Sequence, residues 1–164
     1  MASDIQEQLV KYLEDAYALE QQSKQLLEKG MDIAGDPDLM QLCHGHLTET
    51  EVHERLIKER LEAHGESPSR FKSAAGKGGA VGLGLVAQGS PDTPGKLAAA
   101  AYAFEHLEIA SYELLKRVAE RAGDQETVEA VDRILYEERD ASKKIEMMFD
   151  TAFERSLEAQ EVAG

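Results

Sequence analysis

Residues 97–118 read LAAAAYAFEHLEIASYELLKRV, and the spacing of apolar residues in this stretch decides the fold. Steps of three and four residues lead through Leu97, Ala101, Phe104, Glu108, Ser111, Leu115 and Val118. This period is typical of an amphipathic helix with one face turned to a core. The stripe is aliphatic at both ends, but a carboxylate, Glu108, lies at its middle.

Three other stretches show the same helical period. They run from about 4 to 34, from 36 to 65 and from 124 to 153, while the helix quoted above extends from Thr93-Pro94 to Gly123. Proline directly after a capping residue is a typical helix start, and glycine is a typical helix end. Short turns join the first helix to the second and the third to the fourth, which predicts two antiparallel hairpins.

The hairpins are separated by a segment of different composition. We expect one domain over residues 1–164, with a hairpin at 4–65, a crossover at 66–95, a hairpin at 96–153 and a frayed tail at 154–164. The crossover is rich in Gly, Ser and Pro, and its weakly apolar piece at 80–87 favours packing along the bundle over a flexible linker. A long crossover of this kind occurs in ferritin-like bundles. The predicted fold class is therefore an all-α, ferritin-like four-helix bundle.

The two hairpins are related by an internal repeat. At an offset of 88 residues, 11 of the 39 positions in 19–57 are identical, among them Glu20 with Glu108 and Glu49 with Glu137. Repetition of a helical unit predicts two similar hairpins packed with approximate twofold symmetry.

Composition narrows the range of functions. The chain has 164 residues and a net charge of −14, which argues against nucleic acid and anionic membranes as partners. No apolar run approaches the ~18 residues of a membrane span. The sequence begins without the basic and apolar regions of a signal peptide, and its single cysteine, Cys43, excludes an internal disulfide. We therefore expect a cytoplasmic protein.

Each predicted helix places acidic or imidazole side chains on its apolar stripe near mid-length. They are Glu20 in the first helix; His46, Glu49 and His53 in the second; Glu108 in the third; and Glu138, with Glu137 beside it, in the fourth. Other polar candidates are weaker. Tyr102 and Tyr112 are interpreted as packing residues, and His44 and His64 lie off the stripes and are expected to be solvated.

Buried carboxylates have to be neutralised, because an unpaired ion in a core costs several kcal/mol. They can take up protons, pair with cations or bind metal. Carboxylate and imidazole together suit Fe, Mn or Zn. A core polar network without metal is the simpler alternative. The position of the carboxylates near mid-length in all four helices nevertheless favours a metal site, because it brings them to the same level of the bundle.

One motif resembles a known family. Residues 101–112, AYAFEHLEIASY, resemble the Glu-His-x-Glu-Ile-Ala-x-Tyr signature of the YciE/YciF-type ferritin-like stress proteins. Residues 15–22, 46–50 and 135–138 resemble that family's other helix motifs. The resemblance implies a ferritin-like bundle with a di-iron centre, an association with stress responses and a poorly defined activity.

Carried over by position, the resemblance implies a set of metal ligands. These are Glu20, His46, Glu49, Glu105, Glu108 and one or both of Glu137 and Glu138. The chain also departs from the pattern, since Val52 stands where Glu-x-x-His would place a histidine after Glu49, and His53 comes one residue late. An asymmetric, one-metal or degenerate site is compatible with this departure.

The leading functional hypothesis is a di-metal carboxylate protein that oxidises Fe(II) with O2 or peroxide, as a ferroxidase or peroxide-consuming oxidase. Two ions of Fe are expected, with Mn or Zn as alternatives. The second hypothesis is a structural or interaction module in which any metal clamps the hairpins together without turnover. Assembly into a homodimer is compatible with either, although no second exposed apolar stripe is evident.

Overall fold

A computed structural model describes residues 4–66 and 92–161. This part of the chain contains five α-helices and no strand: α1 (Ile5–Ile33), α2 (Pro37–Ala63), α3 (Pro94–Ala122), α4 (Gln125–Met147) and α5 (Phe149–Ala159). The all-α fold predicted from the sequence is confirmed. Most of the predicted crossover, including its weakly apolar piece at 80–87, lies outside the described residues.

The predicted start signals act as helix caps. One side-chain oxygen of Asp36 accepts hydrogen bonds from the backbone N–H groups of Asp38 and Leu39, ahead of Pro37 at the first position of α2. Thr93 accepts from the N–H of Lys96 in the same way at the start of α3. Such caps satisfy backbone donors that have no partner inside the helix.

The helices form two antiparallel hairpins, α1–α2 and α3–α4, and the hairpins pack side by side. Leu97, at the start of α3, lies against Gly30 near the end of α1, and Gln6 at the start of α1 donates to the carbonyl of Ala122 at the end of α3. Helix α3 is therefore antiparallel to α1, as in a ferritin-like bundle. Among the neighbouring pairs of these four helices, α2 and α4 are in the least contact, which leaves that side of the bundle the most open.

A polar network joins the end of α2 to the start of α4. Asp124 caps α4 by accepting from the N–H of Thr127, and it also accepts from Arg60 at 3.0 Å and contacts His64 at 2.7 Å. The solvated position expected for His64 is thus wrong, because its ring is held by the capping carboxylate. These contacts fix the ends of α2 and α4 relative to each other.

The C-terminal tail also differs from expectation. The fourth helix ends at Met147, and the residues predicted to fray from 154 onward are helical as far as Ala159. Helix α5 packs mainly on α3, where Ser156 Oγ accepts from the backbone N–H of Gly95 at 2.7 Å. A Cβ at Gly95 would lie 2.9 Å from that oxygen, so glycine permits the close approach. The docking of α5 supplies contacts that the exposed tail was expected to lack.

Two aliphatic clusters fill the bundle, one at each end. One contains Leu9, Leu13, Ile57, Leu61 and Leu115, and the other contains Leu26, Leu39, Leu97, Phe104 and Ile145. The polar residues of the apolar stripes lie between them. Among the helices of the described part, none is long and apolar enough to cross a membrane.

Candidate metal centre

Six acidic or imidazole side chains meet in the layer between the two aliphatic clusters. They are Glu20 from α1, His46 and His53 from α2, Glu105 and Glu108 from α3, and Glu138 from α4. None is more than 4% exposed, so water cannot solvate their charges. The helical period brings them here, because each lies on or beside the inward stripe of its helix.

The first ligand group combines one imidazole with three carboxylates. His46 Nε2 lies 3.0 Å from Glu105 Oε2 and 3.5 Å from Glu138 Oε2. Glu108 completes the group, and one ligand atom from each of the four residues lies within 4.8 Å of every other. This is a donor set of one nitrogen and three oxygens around a common point.

The second ligand group lies beside the first and shares one residue with it. His53 Nδ1 is 2.8 Å from Glu138 Oε1 and 3.7 Å from Glu20 Oε1. These three residues also offer atoms within 4.8 Å of one another. Because Glu138 presents one oxygen to each histidine, its carboxylate stands between the two groups.

Many polar atoms in this layer have no hydrogen-bond partner among the described residues. They include His46 Nε2, His53 Nδ1, Glu20 Oε2, Glu105 Oε2 and both oxygens of Glu108 and of Glu138. Several of these atoms lie close to each other, but their angles do not suit a hydrogen bond. Atoms whose lone pairs point at one shared cation have this arrangement. Buried polar groups almost always have a hydrogen-bond partner. A concentration of buried oxygen and nitrogen atoms without such a partner fits a metal site, where they would be the ligand atoms.

Two half-buried carboxylates hold the histidines from outside the cluster. Glu49 Oε2 lies 3.1 Å from His46 Nδ1, and Glu137 Oε2 lies 2.6 Å from His53 Nε2. Each therefore contacts the ring nitrogen that points away from the ligand groups. If that nitrogen carries the proton, the other one keeps its lone pair for a metal, which is the usual arrangement around metal-bound histidines.

Two further residues of this layer were not assigned to the site by the sequence. The buried hydroxyl of Tyr112 donates to Glu20 Oε1, so this tyrosine packs in the core and also fixes a site carboxylate. The buried hydroxyl of Thr50 lies on α2 between His46 and His53 and has no hydrogen-bond partner in the described ranges. Tyr102, by contrast, packs edge-on against Phe149, as a packing residue does.

Burial shifts the ionisation of the carboxylates. Loss of solvation raises the pKa of Glu20 to about 8 and that of Glu138 to about 7. It also raises the pKa of Glu108 well above its usual value, and repulsion from Glu138 and Glu20 adds to this rise. The metal-free cluster therefore holds protons that a cation would displace.

The histidines are shifted in the direction that favours their charged form. Burial alone would lower the pKa of His46, but Glu105 and Glu49 outweigh it and hold the pKa well above its usual value. Burial is likewise outweighed at His53, where Glu138 and Glu20 raise the pKa to about 9. Imidazolium groups thus balance part of the acidic charge until a metal replaces their protons.

The structure brings five of the seven predicted ligands into the two groups: Glu20, His46, Glu105, Glu108 and Glu138. It also brings His46 and Glu105 to the same end of the site, as expected for antiparallel α1 and α3. Glu49 and Glu137 belong to neither group and instead contact the histidines. His53 belongs to the second group although the resemblance did not include it. Its position seven residues after His46, on the same stripe, was the available signal.

The chain matches a protein family over residues 4–158, and that family is described as a domain of unknown function, DUF892. The chain belongs to this family. Protein YciF of Escherichia coli strain K12 is 30% identical to it over 145 residues, which cover 86% of this chain and 87% of YciF. The resemblance to YciE/YciF-type proteins is thereby confirmed.

Solved structures share the fold of this DUF892 protein. A protein from Xanthomonas campestris pv. campestris superposes with a TM-score of 0.76 at 26% identity, covering 97% of this chain and 99% of its own. The crystal structure of E. coli stress protein YciF gives 0.71 at 23% identity, covering 94% and 99%. YcfI from Rhodopseudomonas palustris gives 0.69 at 25% identity, covering 88% and 94%.

The pKa shifts predict how the stability of the metal-free DUF892 protein depends on pH. The pKa of Glu20 is higher in the folded chain, about 8, than its ordinary 4.5, and the pKa of His53 is about 9 against 6.5. In both cases the folded state binds more protons, so stability is lost as pH rises through these values. We expect the melting temperature in chelator to fall between pH 6 and pH 9. A loss of a few kcal/mol corresponds to ~10 °C in a chain of this size.

The Glu20→Gln variant is the matched control for this pH dependence. Its amide cannot ionise, so its melting temperature should change less with pH over the same range. A wild-type melting temperature that is constant or rises from pH 6 to pH 9 would contradict the assignment of protons to the cluster.

Proposed function

We propose that this chain binds two metal ions, Fe in the first instance, in its buried ligand groups and oxidises Fe(II) with O2 or peroxide. The observation that carries the proposal is the position of Glu138, whose two oxygens face two separate histidines at 2.8 Å and 3.5 Å. Dinuclear sites in helical bundles are built from carboxylates and imidazoles that project inward from facing helices, and a carboxylate between two imidazole-containing groups fits such a site.

The donor set limits which ions fit. Four carboxylates and two imidazoles are hard and borderline ligands, which suit Fe, Mn or Zn and give no thiolate for softer ions. Cys43 lies outside both groups. Bound iron would supply the electrons for reduction of O2 or peroxide, with Fe(II) becoming Fe(III).

The chain's own residues would keep the site ordered and dry. Glu49 and Glu137 hold the two imidazole rings, and Tyr112 holds Glu20 through its hydroxyl. A cavity of about 30 Å³ with aliphatic walls reaches His46 from the Leu97 end of the bundle. A space of this size holds a water-sized molecule, and its apolar walls favour O2 over water.

The biological setting of the proposal comes from the family. The E. coli relative is called a stress protein, and we extend a role in stress or iron handling to this chain. Metal ions and O2 or peroxide are the partners the site implies. Homodimer formation and a cytoplasmic location stay predictions from the sequence.

The shared ligand predicts a distinctive pattern of metal content. Protein loaded anaerobically with Fe(II) and desalted should retain two ions per chain. Glu138→Ala should retain close to none, because it removes a ligand from both groups. Glu20→Ala and Glu105→Ala should each retain about one, because each belongs to a single group. Elemental analysis measures this content.

Glu146→Ala is the control for these variants, since Glu146 is an exposed residue of the same helix as Glu138. It should retain two ions. Equal iron in wild type and Glu138→Ala would place the metal elsewhere, and no retained metal in the wild type would leave the cluster as a protonated polar network.

Turnover separates the two functional hypotheses. Anaerobic Fe(II)-loaded protein mixed with O2 or peroxide should form Fe(III) at least ~100-fold faster than Glu138→Ala, a difference of about 2.7 kcal/mol in barrier. Absorbance of Fe(III) in stopped flow measures the rate.

The ligands come from all four bundle helices, so bound metal would also join the two hairpins, and this observation favours a structural clamp as the second candidate. A clamp predicts that metal raises the melting temperature while Fe(II) oxidises no faster than in the variant. That result would exclude the oxidase and retain the metal site.

A further inference from the structure

The open side of the bundle carries a cleft that leads to the first ligand group. It lies between α2 and α4 and has a volume of about 410 Å³. Its walls include Asp38, Gly45, Glu49, Lys144 and Met147, and His46 lies at its inner end. Of the described side chains that line the cleft, only His46 also belongs to a ligand group. One of its ring nitrogens contacts Glu49 and the other contacts Glu105.

Glu49 connects the cleft to the buried layer. Its side chain is 35% exposed, whereas the side chain of His46 is 3% exposed. The carboxylate of Glu49 is therefore open to solvent on the side of the cleft. Its described hydrogen bond uses Oε2 only, which leaves Oε1 for a cation arriving from solvent.

The corresponding position on α4 is closed. Glu137 is the repeat equivalent of Glu49, but both its oxygens are in use: Oε2 contacts His53 at 2.6 Å and Oε1 accepts from Arg133 at 3.1 Å. The guanidinium of Arg133 covers this side with positive charge. A hydrated cation approaching Glu137 would meet that charge and find no free oxygen.

In the part of the chain that the structure describes, apolar side chains fill both ends of the bundle. These clusters lie above and below the ligand layer, and the cavity that reaches His46 through the cluster at the Leu97 end is small and apolar. Passage of a hydrated divalent ion through hydrocarbon would cost far more than passage along a cleft with carboxylates. Among the described residues, the cleft at Glu49 is a polar path that reaches His46.

We propose that divalent cations enter the buried site through the cleft between α2 and α4, and that Glu49 is their first ligand on the way in. This inference rests on the proposed metal-binding function. Glu49 is thus a positioning residue in two respects: it orients His46, and it draws the incoming ion to the nitrogen and carboxylate beyond. Lys144, which is held by Asp140 at 2.6 Å, lies in the same wall and opposes entry by its charge.

Gly45 allows the route to be blocked without touching a ligand. It is exposed on α2, and a Cβ added there meets no atom within 4 Å, so larger side chains can be placed at the cleft without disturbing the helix contacts. Gly45→Phe places a ring in the cleft, and Gly45→Ala is its matched control. Ala110→Phe adds the same ring at an exposed position on α3, away from the cleft.

The experiment measures uptake of Co(II) by metal-free full-length protein, followed by its visible absorption in stopped flow, with final content by elemental analysis. Gly45→Phe should take up Co(II) at least ~10-fold more slowly than the wild type. The controls Gly45→Ala and Ala110→Phe should take it up at the wild-type rate. All of these proteins should reach the same final Co(II) content. Glu49→Gln, which keeps an acceptor for His46, should also be slower by roughly tenfold at low salt, and Lys144→Gln should be faster.

The outcomes separate the route from the site. Normal final content with a wild-type rate in Gly45→Phe would overturn the proposed entry route and leave the metal site standing. No stoichiometric Co(II) in any protein, wild type included, would instead overturn the metal-binding function. Slow uptake in Gly45→Phe and in Glu49→Gln, with wild-type rates in Gly45→Ala and Ala110→Phe and equal final content, supports both. A wild-type rate in Glu49→Gln would overturn the role of Glu49 as the first ligand.

Discussion

Ionisable groups buried in an aliphatic bundle impose the constraint on which this structure depends. Four carboxylates and two imidazoles lie between clusters of leucine, isoleucine and valine, with almost no exposure. An isolated ion there costs several kcal/mol, comparable to the whole stability of a domain. The layer is therefore tolerable only with protons or metal ions in it. The raised pKa values describe the layer with protons bound, and the buried atoms without a hydrogen-bond partner fit the layer with metal bound.

The internal repeat explains which helix positions face the site, but it does not explain which residue types occupy all of them. Glu20 and Glu108 are repeat equivalents and both lie in the ligand layer, and Glu49 and Glu137 are equivalents that each contact a histidine. The symmetry ends at the next position, where Thr50 on α2 corresponds to Glu138 on α4. Both histidines also come from α2 alone. The first hairpin thus supplies the imidazoles and the second supplies most of the carboxylates.

Local signals made much of the fold predictable. Asp36-Pro37, Thr93-Pro94 and Gly123 mark helix ends through capping and backbone conformation, which depend on near neighbours. The break at Met148 has no such signal, and the helix that follows it, α5, docks against α3 through the contact between Ser156 and Gly95. Long-range packing of this kind leaves no periodic mark in the sequence.

The ligand set also contains residues that the sequence pattern predicts and residues that depend on packing. Glu20, Glu108 and Glu138 follow from apolar stripes, because an inward carboxylate is conspicuous among leucines. The choice between Glu137 and Glu138 depends on a rotation of ~100° about the helix axis, and only packing decides it. Glu105 is implied by the resemblance alone. His53 lies on the apolar stripe of α2 but is not among the ligands that the resemblance implies, because a Glu-x-x-His spacing after Glu49 reaches Val52 instead. Its place on the stripe, seven residues from His46, was the better physical criterion.

The most direct test of a shared carboxylate between two ions is anomalous diffraction at the iron edge, from crystals of protein loaded with Fe(II) under anaerobic conditions. The account predicts two anomalous peaks in the core, one beside His46 and Glu105 and the other beside His53 and Glu20, with the carboxylate of Glu138 between them. A core without anomalous peaks, with the same side chains hydrogen-bonded to each other or to water, would contradict it.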